Sequence, residues 1–403
     1  MKNVSRTERI YLDHAATTPL DPRVLVAMQP YLGAEFGNPS ALYKEGRTAK
    51  QALDTARASI AKILSGSATG SVTPEELMFT GSGTESDNMA IFGIAQAARK
   101  ANRGNHVIVS AIEHKAVLRA VDRLESWGFA VTRLPVDATG LVDPKTLEAA
   151  IIDKTILISI MYANNEVGTV EPITELAAIA RKHKVPFHTD ACQAAGALPL
   201  AVGELGVDLM TLNGSKMYGP KGVGLLYVSK KLAERGVQVE PLIVGGSQED
   251  NRRAGTENVA AIVGFAKSLE LAEADRVTES ARQTKLRDAT IKKIFTAVPE
   301  AQFTGHPTQR LPNNIHITIP GIEGDSIISM LDELGVAAAT GSTCDSHSIE
   351  PSHVVLALGL PYTRAHGSVR FTLGRSTTQA LLDQTVEKLA QVVGLLKKSK
   401  HSR

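Results

Sequence analysis

Lys216 stands in an uncommon place for a charged side chain, in "LNGSKMYGPKGVGLLYV", Leu212 to Val228. The apolar run "VDLMTL" before it and "GVGLLYV" after it both read as buried strands. A lysine between such strands, beside a glycine-rich loop, has two readings. One is a solvated turn lysine on a hairpin. The other is an amine partly withdrawn from water, its pKa lowered, able to act as a nucleophile and form a Schiff base. Cys344 poses a similar choice. It lies in "TGSTCDSHS", among small polar residues and near His347. Structural thiols sit mostly among apolar neighbours, whereas a thiol in a polar loop is available as thiolate. Cys192, beside Asp190, reads instead as a packing residue.

Other polar residues fall where apolar stretches end. "TGSGTESDN", Thr80 to Asn88, follows "LMF" and opens the helical pattern "MAIFGIAQAARK". Small residues at a helix start leave backbone N–H groups that can cradle a phosphate, and they equally suit a plain N-cap on Ser82 or Thr84. The lysine of a Walker loop is missing. "EHKAV" starts a helix with His114, "YANNEVGTVEP" places Asn164 and Asn165 after an apolar strand, and "HTDACQA" ends a strand with Asp190. Singly, each is a cap, a turn residue or a satisfied polar group. Together they supply a phosphate cradle, an acid for a protonated ring nitrogen, an amide, a flat ring and a lysine. Those parts hold pyridoxal phosphate (PLP), which acts as an electron sink.

The elements that must position these residues alternate. "HVIVSAI", "FAVTRLPV", "TILISIMYA" and "VPFHTDA" read as strands, and "HKAVLRAVDRLESWG" and "PITELAAIARKHK" as helices between them. This βαβ punctuation, from about Asn38 to about Val228, predicts a mostly parallel sheet covered on both faces, with ligands at the carboxyl ends of its strands. A helical pattern with few breakers then runs from Val259 toward Ala297, long enough to bridge two domains. Shorter elements follow, "NNIHITIPG" and "GSVRFTLG" as strands among helices, and predict a smaller α+β unit. The expected division is a large domain over 16–258 and a small one of 1–15 plus 259–403.

Bulk properties agree with an enzyme of this kind and exclude others. The chain has 403 residues, 44 basic against 42 acidic, for a net charge of +2. No basic stripe suggests a nucleic-acid partner. With two cysteines in so long a chain, free thiols in a reducing compartment fit better than a disulfide framework. The first residues carry no apolar run of signal type, and no window suits a membrane span. The expectation is a cytoplasmic protein without a membrane or direct nucleic-acid partner.

The motifs also match a known family. "YLDHAATTPLDP", "GNPSALYKEGR", "TGSGTESDN", "EHKAV", "NNEVGT", "HTDACQ", "SKMYGPKGVG", "RRAGTEN", "GSTCDSHSIEPSHV" and "SVRFTLGRSTT" occur in this order over nearly the whole chain. In this the sequence resembles the cysteine desulfurases of the NifS/IscS type, aminotransferase class-V enzymes of PLP fold type I. The resemblance implies a mostly parallel, seven-stranded large domain, a small α+β domain, PLP as cofactor and a homodimer. It implies that Lys216 bears the cofactor, His114 stacks on its ring, and Asp190 pairs with the ring nitrogen. Asn165 and Gln193 address the 3-hydroxyl side, and Gly83, Thr84, Asn213 and Ser215 surround the phosphate, which Thr256 reaches from the partner subunit. Asn38 and Arg370 are the clamp on the substrate carboxylate, a task that suits the planar arginine fork. By the same resemblance Lys216 moves the Cα proton of L-cysteine, the Cys344 thiolate takes the sulfur as a persulfide, and alanine is released. The sulfur then passes to an acceptor protein, serving iron–sulfur cluster assembly, tRNA thiolation or DNA phosphorothioation.

One departure stands out. The family places serine and histidine where this chain has Asn213 and Ser215. Both can donate hydrogen bonds but neither carries imidazolium charge. The altered "NGSK" leaves a selenocysteine lyase and a non-catalytic PLP-fold scaffold as competing readings. Retained Lys216, Asp190, Arg370 and Cys344 count against the scaffold.

Overall fold

The computed structural model describes residues 9–66, 72–341 and 351–401. Cys344 and His347 lie outside the described residues. A short strand, β1 (Ile10–Tyr11), is followed by the seven strands of the main sheet. These are β2 (Leu77–Thr80), β3 (His106–Ser110), β4 (Ala130–Leu134), β5 (Thr155–Ser159), β6 (Phe187–Asp190), β7 (Leu209–Asn213) and β8 (Gly224–Val228). Their order is β2-β8-β7-β6-β5-β3-β4. Only β8 runs against its neighbours, pairing antiparallel with β2 and β7, so the sheet is mostly parallel as expected.

Every residue of β3 and β5 is buried, which explains why their interiors, "VIV" and "ILI", are apolar throughout rather than alternating. Helices Lys44–Ser65, Gly83–Lys100, Lys115–Ser126 and Ile173–Lys182 cover the two faces. Two strands are shorter than the sequence pattern suggests. Pro135, with no N–H to give, follows the end of β4. β5 stops at Ser159, although Ile160 and Tyr162 still donate to His188 and Asp190 of the neighbouring β6 segment.

The Val259–Ala297 helix is capped by Asn258, whose side chain accepts from Ala261 N. Its first half, through Ala272, packs in the core of the main sheet, and Ile294 packs in a second core. That second core is built on a three-stranded sheet, β9 (Gln302–Phe303), β10 (Asn314–Thr318) and β12 (Ser368–Thr372), in the order β12-β10-β9. The chain start joins it, because β1 pairs in parallel with β11 (Val336–Ala337). Residues 12–18 then cross from the second core to the main sheet, where Thr18 bonds Ser215.

Candidate active site

The carboxyl ends of β2, β3, β5, β6 and β7 open onto one region. After β2, Ser82 caps the Gly83–Lys100 helix, its hydroxyl accepting from Glu85 N. The plain N-cap on Ser82 is thus the structure found, and it leaves the helix start shaped as a phosphate cradle would need. Gly83 is needed there: a Cβ at that position would stand 2.8 Å from Cys192 Sγ and 3.3 Å from Asn213 Cβ. Thr84 is exposed on the first turn. After β3, His114 caps the Lys115–Ser126 helix through its ring, with Nδ1 accepting from Ala116 N at 3.1 Å. That bond fixes the ring's orientation, and it makes Nδ1 the acceptor nitrogen.

Asp190 ends β6, and its Oδ1 accepts from Cys192 N at 2.9 Å. Polar atoms of Asp87, His114 and Asp190 lie within 4.8 Å of one another, so the structure brings the expected ring and acid together. It adds Asp87, which the sequence reading did not single out. Asp87 is 1% exposed, and its Oδ1 makes no hydrogen bond among the described residues. Burial first, and then the negative charge of Asp190, raise its carboxyl well above the usual range. Behind it His188 is fully buried, with Nδ1 on Ser159 Oγ at 2.8 Å and Nε2 on Thr211 Oγ1 at 3.0 Å. Burial pushes that imidazole down to about 4. Cys192 is buried, its thiol pushed up by burial, in keeping with a packing role.

Lys216 lies in a single 3-10 turn between antiparallel β7 and β8. In backbone terms it is a hairpin lysine after all. Its Nζ nevertheless points inward, donating to Ala15 O at 2.9 Å and Ala16 O at 2.6 Å. The turn is pinned from outside: Ser215 O accepts from Thr18 N, and Tyr218 N donates to Thr18 Oγ1 at 2.7 Å. Tyr218 itself takes φ +62°, a left-handed conformation that a bulky residue holds only under constraint. Its hydroxyl accepts from Arg375 N, and the Arg375 guanidinium lies 4.5 Å over its ring. Asn213 folds onto this turn, Oδ1 accepting from Ser215 N and Ser215 Oγ at 3.1 and 3.2 Å.

The small sheet supplies one more residue. Arg370, on β12, is 3% exposed and reaches the main sheet's loops. Nη1 donates to Asn165 O at 2.9 Å and Nη2 to Asp13 Oδ1 at 2.7 Å, while Nε makes no hydrogen bond among the described residues. Asn165 is half-buried beside it. Asn164 is a turn builder, with its amide donating to Ile112 O and accepting from Glu166 N and Val167 N. Gln193 Nε2 donates to Ala15 O, on the segment that also takes Lys216. Asn38 and Thr256 are exposed. The Asn38 side chain accepts from Ser40 N, and among the described residues it makes no hydrogen bond to Arg370.

These residues fit PLP. A glycine-floored helix start suits a phosphate, buried Asp190 suits a pyridinium, and an inward amine suits an aldehyde. The unpartnered, buried Arg370 Nε suits an incoming carboxylate, since a buried donor left unmade is costly. Comparison with known proteins agrees. The family model "Aminotransferase class-V" matches residues 10–385. The cysteine desulfurase IscS of Dictyoglomus turgidum is 48% identical over 96% of this chain and 95% of its own length. A solved NifS-like protein superposes with TM-score 0.88 at 33% identity, covering 96% of this chain and all of that one. SspA, solved in complex with cysteine, gives 0.77 at 36% identity over 90% of this chain and 98% of its own. This chain therefore belongs to the aminotransferase class-V family, among its cysteine desulfurases of the IscS and NifS type.

Proposed function

We propose that this chain converts L-cysteine to L-alanine, leaves the sulfur as a persulfide on Cys344, and passes it to an acceptor protein. The observation that carries this reading is the meeting of two sets of side chains. Lys216, His114 and Asp190 stand on the strand ends of the main sheet, and Arg370 reaches in from the small sheet onto Asn165. One set suits a cofactor ring, the other a substrate carboxylate.

Lys216, Asp190, His114, Gln193 and Asn165 would hold the ring end of PLP, and Gly83, Thr84, Asn213 and Ser215 its phosphate. Bound there, PLP supplies a sink for the electron pair left when a Cα proton departs. Arg370 and Asn38 bind the substrate carboxylate and set which face of Cα meets the lysine. The Lys216 amine takes the Cα proton and later returns one to carbon. Asp190 would pair with the ring nitrogen and favour its protonated form. The Cys344 thiolate attacks the substrate sulfur, the Cβ–S bond breaks, and protonation at carbon leaves alanine.

We assign residues 16–258 to the large domain and 1–15 with 259–403 to the small one, the Val259–Ala297 helix being their shared connection. A homodimer is part of the proposal. Thr256 is exposed, in keeping with a hydroxyl that completes the phosphate site of a partner subunit. Among the described residues no helix is long and apolar enough to cross a membrane.

The test is a paired assay. Purified protein and its Cys344→Ser variant receive PLP and L-cysteine under reducing conditions, and sulfide and alanine are measured. Product from the parent and none from the variant is the expected result. A parent that binds PLP yet makes no product overturns the reading, and turnover of selenocysteine alone would make it a selenocysteine lyase.

A further inference from the structure

Glu166 follows Asn165 in the turn after β5, and none of the roles above uses it. It is 5% exposed. Its backbone is fixed on both sides, N donating to Asn164 Oδ1 and O accepting from Asn314 Nδ2, each at 2.9 Å. What its carboxylate touches is unexpected. Ser352 Oγ donates to Glu166 Oε2, and a Cβ placed on Gly341 would collide with that same oxygen. Gly341 and Ser352 lie on the two sides of the stretch that contains Cys344. Cys344 is three residue steps from Gly341, at most about 11 Å of extended backbone.

The next residue repeats the pattern. His353 Nε2 donates to Glu113 O at 3.0 Å. Glu113 precedes His114, and Glu166 follows Asn165. Both anchors are thus sequence neighbours of residues assigned to the cofactor ring. The charged groups facing Glu166 are Arg370 from β12 and Lys115 and His114 from the neighbouring helix start. Burial pushes its carboxyl up to about 7, against the opposing pull of the Ser352 hydrogen bond first and then of Arg370, Lys115 and His114.

We propose that Glu166 is a positioning residue for the sulfur-transfer step, hydrogen-bonded by Ser352 and packed against Gly341, on either side of Cys344, beside the wall proposed to hold the cofactor ring and the substrate carboxylate. This rests on the reading of Cys344 as the sulfur acceptor. The physical need is plain. The Cys344 thiolate must meet the substrate sulfur in line, and a misplacement of about 1 Å costs on the order of a hundredfold in such a step. Glu166 is hydrogen-bonded by Ser352 and not by Arg370, so loss of the tie should act on alignment more than on substrate affinity.

The test uses the PLP-loaded protein and the variants Glu166→Gln, Glu166→Ala and Ser352→Ala. The first readout is the rate at which an uncharged thiol reagent modifies Cys344 without L-cysteine, located by peptide mass. Cys192, buried with a raised pKa, stays silent. The second is the split between kcat and KM for alanine formation. Glu166→Ala and Ser352→Ala should raise the labelling rate about threefold and lower kcat about tenfold, with KM within about twofold. Glu166→Gln, which can still accept from Ser352, should fall between them and the parent. Unchanged labelling overturns the proposal, whatever happens to kcat, and so does a rise in KM alone. If Glu166→Ala does not fold, Glu166→Gln decides the matter, because Ser352 Oγ also caps the His353–Ala357 helix and its loss is not specific to the tie. Labelling reports the tie even if Cys344→Ser proves active, so failure of the Cys344 reading is seen separately.

Discussion

The proposed ring end and the proposed carboxylate end of this site are built from different material. At the ring end, Asp190, His188, Thr211 and Ser159 come from adjacent parallel strands of one sheet, and Asp87 from a helix packed on it. At the carboxylate end, Arg370 joins Asn165 and Asp13 across 205 and 357 residues of chain, and Ser352 joins Glu166 across 186. The first is fixed as soon as the sheet forms. The second exists only when the small sheet docks on the large one. Changes at the ring end should therefore act through charge and protonation, and changes at the carboxylate end through substrate affinity and alignment.

The sharpest way to break this contrast lies within the ring end. Asp87 and Asp190 are near neighbours, and two buried carboxylates at that range do not both ionise readily. With Asp87 neutral, an amide can replace it. Asp190→Asn should lower kcat by about a hundredfold, because it removes the charge that favours a protonated ring nitrogen. Asp87→Asn should stay within about twofold. Equal losses in the two variants would mean that Asp87 carries charge, and the account of the ring end would fail. Kinetics of alanine formation and the infrared signal of a protonated carboxyl both check this.

At the other end Arg370→Lys keeps the charge and loses the fork. A lysine is a compact point charge and cannot span Asn165 O, Asp13 and a carboxylate together. The expectation is a rise in KM for L-cysteine of about tenfold, with a smaller change in kcat. A loss confined to kcat would place Arg370 with the ring end.

The ring end should also leave a mark on stability. Glu113 is fully buried, Oε1 accepting from Ser110 Oγ and Met161 N, and Oε2 making no hydrogen bond among the described residues. Burial pushes its carboxyl up from 4.5 to about 8, with Asp190 and Glu171 adding to the rise. Between those values the folded chain binds the proton that the unfolded chain releases. Stability from this group is therefore full at low pH and is lost as pH rises toward about 8, with a limiting slope near 1.4 kcal/mol per pH unit. Glu113→Gln should match the parent in thermal midpoint at about pH 4, below both values, and exceed it by a growing margin up to about pH 9. Midpoints that fall in parallel would show that Glu113 is not the group responsible.

The same division explains what the sequence made legible. The strand ends were readable because "HVIVS", "TILIS" and "LMTLN" are short apolar runs closed by polar residues, and each polar residue sits where its strand stops. The Val259–Ala297 helix was readable because little in it breaks a helix. Asp87 was not readable. In "TESDN" it looks like any acid in a first helical turn, and only packing against β6 and β7 buries it. Glu166 was hidden in the same way inside "NNEVGT". The residues that pair with Arg370 could not be read from pattern at all, since Arg370 sits on an ordinary buried strand and its partners are set by how two sheets meet. Only the family resemblance pointed to it.

The departure at "NGSK" gives the smallest expected effect and the finest test of the ring end. Ser215 holds its place through backbone, its carbonyl accepting from Thr18 N and Thr18 Oγ1 and its N–H donating to Asn213. Its hydroxyl only donates to Asn213 Oδ1, so a larger side chain can replace it without undoing the turn. Asn213 faces the glycine floor of the phosphate cradle, since a Cβ on Gly83 would stand 3.4 Å from its Nδ2. Ser215→His would add a cation near that cradle at pH values below the imidazole range. A partly exposed charge beside a phosphate is worth a fraction of a kcal/mol to about 1 kcal/mol, so PLP should dissociate about threefold more slowly. The gain should shrink above about pH 7, where imidazole loses its proton, and in high salt. PLP release measured by absorbance at two pH values decides it. A gain that survives at high pH would be a packing effect, and no gain at either pH would place Ser215 off the phosphate, leaving the loss of histidine there without electrostatic consequence.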